Sequence, residues 1–342
     1  MNAQNLAKLL EAAIPAKLPI LITGAPGIGK SDIVNQAAAA LKAQAIISHP
    51  AVSDPTDFKG LPWPDASKGA ANFLPFGEFN KALTATSLTV WFLDDLGQAP
   101  PAVQAAAMQL LLARRVNGHV LPDCVSFVAA TNRRTDRAGV AGILEPVKSR
   151  FAAIVELQAD VDSWSRWAVN HGIAPTLIAF LRFRPELLSK FVASADMTNS
   201  PSPRTWTRLS ALEGLHLPGA IESEAFAGAV GEGAAVEYLA FRKLAAALVS
   251  IDAILLDPAK AAIPSKPAEL FAVSTALAAR ATDKNLGRVA TYATRMLQDG
   301  KGEFAALTLR DATRRNPALA STDDFITKIA CSDLGKLISG QE

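Results

Sequence analysis

One eight-residue segment constrains the fold of this chain more than any other feature: GAPGIGKS, residues 24–31. It lies between a short apolar run at 18–23 and an alanine-rich stretch of helical spacing from about Ser31 to Lys42. Glycines in such a segment let backbone N–H groups curl around phosphate oxygens, because a Cβ would obstruct the approach. The helix that follows adds partial positive charge at its N-terminus. The pattern G-x-x-x-x-G-K-[ST] between a strand and a helix therefore predicts a phosphate-binding loop.

Two side chains of this loop have separate predicted roles. Lys30 is expected to reach the β- and γ-phosphates of a nucleotide, and the Ser31 hydroxyl is expected to ligate Mg²⁺. An ordinary glycine-rich turn is the alternative, and the complete pattern between a strand and a helix favours nucleotide binding. The predicted nucleotide-binding residues are Gly24, Ala25, Pro26, Gly27, Ile28, Gly29, Lys30 and Ser31.

A second part of the predicted site is the acidic end of an apolar strand. The run VWFL (90–93) is followed directly by Asp94 and Asp95. A parallel strand delivers its last residues to the carboxyl edge of the sheet, where ligands bind. Asp94 is then placed to hold Mg²⁺ through water opposite Ser31, and Asp95 is placed to polarise an attacking water. A solvated strand end is the alternative, and the phosphate loop upstream favours the functional interpretation.

Alternating strands and helices in the first 158 residues predict an α/β fold. The predicted strands are residues 18–23, 45–52, 87–95, 125–132 and 151–158. They are apolar throughout, which is typical of a parallel sheet covered by helices on both faces. Asn117-Gly118 predicts a type I′ hairpin turn. The Pro- and Gly-rich residues 53–78 predict an insert or a long ordered loop without regular elements.

The sequence pattern changes beyond Gln158, where helical segments are separated by Pro and Gly. We therefore expect an α/β domain followed by helical regions only. The predicted boundaries are 1–158 for the α/β nucleotide-binding domain with its insert at 53–78, 159–260 for a helical domain and 261–342 for a helical C-terminal extension.

Composition limits the expected partners. The 34 basic and 32 acidic residues leave a net charge of +2, which argues against a general nucleic-acid coat or a polybasic membrane anchor. No uncharged apolar run is long enough to cross a bilayer. The two cysteines and four histidines lack zinc-ligand spacing. We expect a cytoplasmic protein with no membrane span and no nucleic-acid partner.

Taken together, these segments resemble an AAA+ ATPase, and they are most similar to the MoxR-type branch with the related CbbQ and NorQ proteins. The resemblance covers about residues 5–215. It rests on the phosphate loop, DPTDFKGLP (54–62), FLDDLGQAPPAVQAAAMQLLLARRV (92–116), FVAATNR (127–133), SRF (149–151) and SPRTW (202–206). It implies that 159–260 is the lid domain and that ATP and Mg²⁺ bind at the loop.

The resemblance also implies roles for three more residues. Asn132 would be sensor 1, which holds a water and contacts the γ-phosphate. Arg150 would be the arginine finger that reaches the nucleotide of a neighbouring subunit. Arg204 would be sensor 2, in the first turn of a helix that Ser202 caps. The rival candidates for the finger are Arg133, Arg134 and Arg137.

One residue departs from the family pattern. The family usually has Glu where this chain has Asp95. Aspartate is one methylene shorter, which would place its carboxylate about 1.5 Å further from the attacking water. A misplacement of that size can cost ~10²-fold in rate. Slow hydrolysis, or a site adapted to aspartate, is therefore expected.

The resemblance implies a mechanical use of ATP hydrolysis. MoxR-type proteins typically form hexameric rings that remodel or activate a client protein, often with a partner bearing a von Willebrand factor A (VWA) domain. The insert at 53–78 would face that client or partner. Two alternatives stay open at this point: an ATP-gated assembly platform with little turnover, and a nucleic-acid motor, which the near-neutral charge disfavours.

Overall fold

The computed structural model describes residues 1–65, 67, 69–136, 142–192, 197–247 and 250–339 of the chain. It divides into two compact units, Met1–Ala159 with Phe191–Ala195, and Asp160–Lys190 with Asp196–Glu342. The first unit contains every strand, and the second is helical within the described residues. The predicted division of the helical region at residue 260 stays a prediction.

A parallel sheet forms the centre of the first unit. The strands are β1 (Ile20–Gly24), β2 (Gln44–Ser48), β3 (Leu61–Asp65), β4 (Ala70–Leu74), β5 (Thr89–Leu93), β6 (Arg115–Val116), β7 (His119–Val120), β8 (Val125–Asn132) and β9 (Ala153–Glu156). Five of them form one sheet in the order β2-β5-β8-β1-β9, and all its neighbours are parallel. The predicted α/β fold with a parallel sheet is confirmed.

Helices cover both faces of this sheet. The helices of the first unit are α1 (Ala3–Ala13), α2 (Lys30–Ala40), α3 (Thr56–Lys59), α4 (Gly77–Leu83), α5 (Pro101–Ala113) and α6 (Glu145–Lys148). Phe92 of β5 packs with residues of α1 and α2, while the adjacent Trp91 packs with residues of α3, α4 and α5. Burial of each such side chain contributes about 1.5–3 kcal/mol, which is why the strands are apolar at consecutive positions.

The connections from β1 and β8 place a crevice at the carboxyl edge of the sheet. These two strands are neighbours, with Gly24 opposite Asn132. The helix after β1 is α2, which packs on one face, whereas Val147 of α6, after β8, packs on the other. When the connections of adjacent parallel strands diverge in this way, a ligand crevice opens outside their carboxyl ends.

Residues 53–78 contain regular structure, so the prediction of an insert without regular elements was wrong. The segment holds α3 and the antiparallel pair β3–β4, in which Leu61 lies opposite Leu74. Pro62 and Pro64 both lie in β3. Proline has no backbone N–H to donate, so it is tolerated only where a strand edge is unpaired. A two-stranded sheet leaves one edge of each strand unpaired, and residues two positions apart, such as Pro62 and Pro64, direct their backbone nitrogens to the same edge.

The insert combines one buried aromatic residue with several exposed apolar ones. Phe58 of α3 is buried and stacks on Trp91, with ring centroids 6.0 Å apart. On the hairpin, Trp63 is 62% exposed, and Leu61 and Leu74 are about half exposed at 48% and 49%. The insert is therefore fixed to the sheet through Phe58 and presents apolar side chains on β3–β4.

A second hairpin, β6–β7, turns at the predicted dipeptide. Asn117 and Gly118 both have positive φ, 49° and 85°, as a type I′ turn requires, and the predicted hairpin is confirmed. Asn117 Nδ2 donates to the Lys59 carbonyl oxygen (3.0 Å), and His119 Nε2 lies 2.6 Å from the Phe73 carbonyl oxygen. The two hairpins are thus hydrogen-bonded to each other.

The second unit consists of helices with two apolar clusters. Its helices are α7 (Val161–Asn170), α8 (Pro175–Phe183), α9 (Pro203–Glu213), α10 (Gly219–Val230), α11 (Glu232–Ala247), α12 (Ile251–Leu256), α13 (Pro267–Arg280), α14 (Leu286–Gln298), α15 (Gly302–Arg315), α16 (Asp323–Phe325) and α17 (Asp333–Ser339), with a π-helical turn at Ile326–Ala330. Phe180, Trp206 and Tyr238 belong to one cluster, and Tyr292 and Leu309 to the other. Among the helices described, none has both the length and the apolar character needed to span a membrane.

Candidate functional site

The loop between β1 and α2 has a backbone that favours glycine, as Gly24 and Gly29 show. Gly29 precedes α2 with φ 94°, a left-handed conformation that residues with a Cβ rarely adopt. At Gly24 the constraint is space, since a Cβ would lie 2.6 Å from Ile28 Cδ1 and 2.9 Å from the Leu157 carbonyl oxygen. These two residues let the chain turn tightly at the crevice, with the N-terminus of α2 facing it.

Lys30 lies at the start of α2 and is buried. Its ammonium group donates to the carbonyl oxygens of Gly24 and Ala25, each at 3.1 Å, and to Asn132 Oδ1 at 2.7 Å. A buried ammonium needs such acceptors because its desolvation is costly. Lys30 therefore connects the phosphate loop to the end of β8.

Ser31 and Asp94 meet across the crevice. Ser31 Oγ donates to Asp94 Oδ2 at 2.6 Å. The Asp94 backbone N–H donates to the Ser48 carbonyl oxygen (2.9 Å), and the Asp95 backbone N–H donates to Asp94 Oδ1 (3.1 Å). The carboxylate of Asp94 is thus held in place at the end of β5, next to the first turn of α2.

Asp95 and Asn132 form the second contact across the site. Asn132 Nδ2 donates to Asp95 Oδ1 at 3.4 Å, while its Oδ1 accepts from Lys30. Asp95 has φ 58° and ψ 35°. Aspartate tolerates this left-handed backbone better than most residues with a Cβ, and such residues concentrate at functional sites.

The structure brings five of the predicted site residues into one hydrogen-bonded group, which we call the crevice network. Its members are Lys30, Ser31, Asp94, Asp95 and Asn132. They come from three segments that are far apart in sequence and adjacent at the carboxyl edge of the sheet. The network places one cation, two carboxylates, a hydroxyl and an amide around a single crevice.

The oxygen atoms of Ser31 and Asp94 fit a Mg²⁺ site. Mg²⁺ prefers hard oxygen ligands and usually binds through one or two carboxylates together with waters and substrate phosphates. The serine hydroxyl and the aspartate carboxylate are 2.6 Å apart and lie beside the phosphate loop. Both could therefore hold one ion directly or through water.

Arg150 lies outside the crevice network. It follows α6, whose Val147 is buried, and precedes the buried Phe151. Its Nη1 donates to Ser149 Oγ at 3.1 Å, and its Nε is buried with no hydrogen-bond acceptor among the described residues. Within the part of the chain that the structure describes, no carboxylate forms an ion pair with Arg150.

The rival arginines differ from Arg150. Arg133 makes a two-bond contact to Asp136 (3.0 and 3.1 Å) and a third bond to Glu156 (3.1 Å). The hydrogen bonds to Asp136 raise the pKa of the Arg133 guanidinium, so Arg133 is committed to partners in its own chain. Arg134 begins a short helical turn, and Arg137 lies outside the described residues.

Arg204 belongs to the second unit. Ser202 and Thr205 form a capping box at the start of α9, and Pro203 is its first residue. The predicted cap and the helix start are as expected from the sequence. Arg204 is exposed in the first turn, and no hydrogen bond or ion pair to it is present among the described residues. Its role as sensor 2 stays a prediction.

Sequence reasoning missed Gln104. This buried residue of α5 donates to the carbonyl oxygens of Ala99 (3.0 Å) and Gly142 (2.9 Å), and its Oε1 accepts from the Leu144 backbone N–H (3.0 Å). It thereby ties the segment before α6, and so Arg150, to the helix that follows Asp94 and Asp95. The available signal was a glutamine in the first turn of a helix made mostly of alanine and leucine.

Part of the first unit matches a known domain family. Residues 19–151 match the sequence profile of the AAA domain (dynein-related subfamily). The matched range runs from β1 through α6 and contains every residue of the crevice network. This segment is similar to AAA domains of that subfamily, and its assignment to the MoxR-type branch stays a prediction.

Solved structures with a related arrangement share little sequence with this chain. RuvB of Thermotoga maritima, a Holliday junction branch migration motor, is 17% identical over 87% of each chain, with a TM-score of 0.39. NtrX from Brucella abortus in complex with ATP is 12% identical over 97% of this chain and 68% of that chain, with a TM-score of 0.42. Both TM-scores are below 0.5, so no function is transferred from either. No curated protein sequence matches the chain.

Proposed function

We propose that this chain is a Mg²⁺-dependent ATPase of the MoxR type that works in a ring and remodels or activates a client protein. The crevice network is the observation that carries the proposal. It combines a phosphate loop, a lysine, a hydroxyl, two carboxylates and an amide at the edge where parallel sheets bind ligands. The AAA-domain match over residues 19–151 supports it.

Each network residue has a distinct task in ATP hydrolysis. The loop amides and the α2 N-terminus bind the phosphates, and the Lys30 ammonium exchanges the Gly24 and Ala25 carbonyl oxygens for phosphate oxygens. Asp95 accepts a hydrogen bond from the attacking water and polarises it, while Asn132 orients that water. Mg²⁺ at Ser31 and Asp94 would neutralise charge on the β- and γ-phosphates.

Hydrolysis in this scheme needs a second copy of the chain. Arg150 would stabilise negative charge on the neighbour's γ-phosphate, and the absence of a carboxylate partner among the described residues leaves its guanidinium available for that contact. Arginine fingers supplied by a neighbour accelerate phosphate transfer by ~10³–10⁵-fold. The chain therefore forms a homo-oligomeric ring, and six subunits are the size that the family resemblance predicts.

The output of the cycle is a mechanical change. Contacts to the γ-phosphate from Asn132, Arg150 and Arg204 are lost on hydrolysis, which shifts the balance between two arrangements. The exposed apolar hairpin β3–β4, with Trp63 at 62% exposure, is the surface for a client or a VWA-domain partner. We place this activity in the cytoplasm.

A second candidate function is an ATP-gated assembly platform with little turnover. Asp95 is the observation that favours it, because a carboxylate one methylene shorter than glutamate lies further from the attacking water. Binding and release of ATP would then drive the same change of arrangement without rapid hydrolysis.

Steady-state phosphate release separates these two functions. The full chain is assayed with saturating Mg·ATP at a concentration where oligomers form, and the Lys30→Ala variant serves as the blank. We expect release well above the blank. If the wild type binds ATP but releases phosphate no faster than the blank, the result would support the assembly platform and contradict the proposed ATPase activity.

Lengthening the catalytic carboxylate provides a further prediction. Asp95→Glu is expected to raise kcat by up to ~10²-fold, since it moves the carboxylate closer to the water. It is also expected to lower stability by about 1 kcal/mol, because glutamate fits the left-handed backbone at φ 58° less well. Single-turnover hydrolysis and thermal unfolding measure the two effects. An equal or lower rate would show that the site is built around aspartate.

A further inference from the structure

The side-chain amide of Gln104 is fully engaged by backbone groups of two loops. The residue lies in the first turn of α5 and is 1% exposed. Its Nε2 donates to the carbonyl oxygens of Ala99 (3.0 Å) and Gly142 (2.9 Å), and its Oε1 accepts from the Leu144 backbone N–H (3.0 Å). Both donors of the amide are therefore used, and its oxygen has a partner. Buried polar groups of the backbone need such partners, so the amide is required wherever these loops approach α5.

The segment before α6, residues 142–144, is also held by the turn that follows Asp95. The Gly142 backbone N–H donates to the Gly97 carbonyl oxygen (3.2 Å). Gly97 is closely packed there, because an added Cβ would clash with Thr131 Oγ1. The segment thus has hydrogen bonds to α5 through Gln104 and to the turn next to the crevice network.

α6 connects this segment to Arg150 and has little stability of its own. It has four residues, Glu145–Lys148, and so short a helix is not stable alone. Leu144, whose N–H Gln104 accepts, is its N-cap, and the Arg150 backbone N–H donates to the Val147 carbonyl oxygen (3.1 Å) at its other end. Burial of the Val147 side chain holds α6 against the core, but apolar contact is not directional. The directional hydrogen bonds of Gln104 therefore decide where α6, and with it Arg150, lies.

We infer that Gln104 is a positioning residue for the Arg150 guanidinium and so serves the nucleotide site of the neighbouring subunit. The inference rests on the proposed function, in which Arg150 acts between subunits. Within the described part of the chain, Gln104 forms no hydrogen bond to a member of the crevice network. Catalytic groups have to be held to within about 0.5 Å by the hydrogen bonds around them. Loss of the Gln104 amide would release α6 from α5 and move the finger.

Gln104→Met tests this role, because methionine keeps the length of the side chain and has no amide. We expect kcat to fall by ~10²-fold, the cost of a misplacement of about 1 Å, while the affinity for ATP stays unchanged. Phosphate release and titration with a fluorescent ATP analogue, on the same oligomeric preparation, measure both. The matched control is Gln109→Met, at an exposed glutamine of the same helix, which should behave as the wild type.

Mixed oligomers show on which subunit Gln104 acts. Asp95→Ala subunits keep Gln104 and Arg150, so they should restore activity to Gln104→Met subunits by supplying a correctly placed finger to an intact site. Arg150→Ala subunits should restore none, since neither component then has a working finger. A merely structural defect around α5 would damage the site of its own subunit, and neither mixture would recover.

Leu144→Pro removes the same contact from the other side. Leu144 has φ −58°, which proline adopts, and the substitution removes the N–H that Gln104 accepts. We expect a lower kcat, unchanged ATP affinity and recovery with Asp95→Ala subunits only. If Gln104→Met does not fold, Leu144→Pro decides by the same two mixtures.

The outcomes separate this inference from the proposed function. Wild-type hydrolysis by folded Gln104→Met, or no recovery with Asp95→Ala subunits, would overturn the role of Gln104. The finger itself would stand in that case if Arg150→Ala and Asp95→Ala subunits restore each other. If those two do not restore each other, Arg150 is not a finger between subunits, and the inference falls with it.

Discussion

Replacing Lys30 with alanine is expected to lower the affinity for Mg·ATP by about 10²- to 10³-fold. The Lys30 ammonium is buried and donates three hydrogen bonds inside the crevice network. Lys30 is the one cation among the five members of that network. Its removal therefore takes away the positive charge that would face the β- and γ-phosphates. Titration with a fluorescent ATP analogue measures the loss.

The control for this variant is Lys8→Ala, at an exposed lysine of α1. It removes the same side chain away from the crevice and should bind ATP as the wild type does. Thermal unfolding of both variants shows that each is folded. Undiminished ATP binding by folded Lys30→Ala would count against the phosphate loop as the nucleotide site.

Arg150→Ala is expected to leave ATP binding intact and to lower kcat by ~10³–10⁵-fold. Among the residues that the structure describes, Arg150 makes no hydrogen bond to the crevice network of its own chain, and its hydrogen-bond partner is the neighbouring Ser149. A residue placed in this way affects hydrolysis only if it reaches the nucleotide of another subunit. Phosphate release and ATP binding, measured on the same preparation, separate the two effects.

Mixed oligomers test the action of Arg150 on a neighbour. Asp95→Ala subunits lack the catalytic carboxylate and retain Arg150, whereas Arg150→Ala subunits have the opposite defect. Each preparation alone should be inactive, and their mixture should recover part of the activity at shared interfaces. If the mixture stays as inactive as its components, Arg150 does not act between subunits.

The sequence predicted those features of the first unit that short segments of the chain determine. Apolar runs such as VWFL (90–93) read directly as buried parallel strands, because both faces of the sheet are covered. The phosphate loop, Asp94 and Asp95 lie at strand ends, so the sheet itself brings them together. The role of Asn132 beside them was implied by the family resemblance, and the structure has these residues in one hydrogen-bonded group.

The sequence was less informative where contacts depend on partners far along the chain. Pro62 and Pro64 suggested irregular structure, and only a two-stranded sheet with free edges accommodates them. Gln104 carried little signal, since its three backbone partners belong to two loops that approach it only after folding. The left-handed backbone of Asp95 likewise has no signature in the sequence.

The choice among the arginines also needed side-chain geometry. Sequence reasoning could not separate Arg133 from Arg150, because both follow predicted site segments. The structure pairs Arg133 with Asp136 and Glu156, which removes it from the set available to a neighbour. An arginine finger contacts the nucleotide of a neighbouring subunit, so it needs no ion-pair partner in its own chain. It is therefore identified by excluding the arginines that already have such partners.

A crystal structure with Mg²⁺ and a non-hydrolysable ATP analogue tests the central claim most directly. We expect the triphosphate along the amides of residues 24–31, the Lys30 ammonium on the β- and γ-phosphates, and the metal ion beside Ser31 and Asp94. A nucleotide bound elsewhere on the chain, or an empty loop at millimolar ligand, would contradict it.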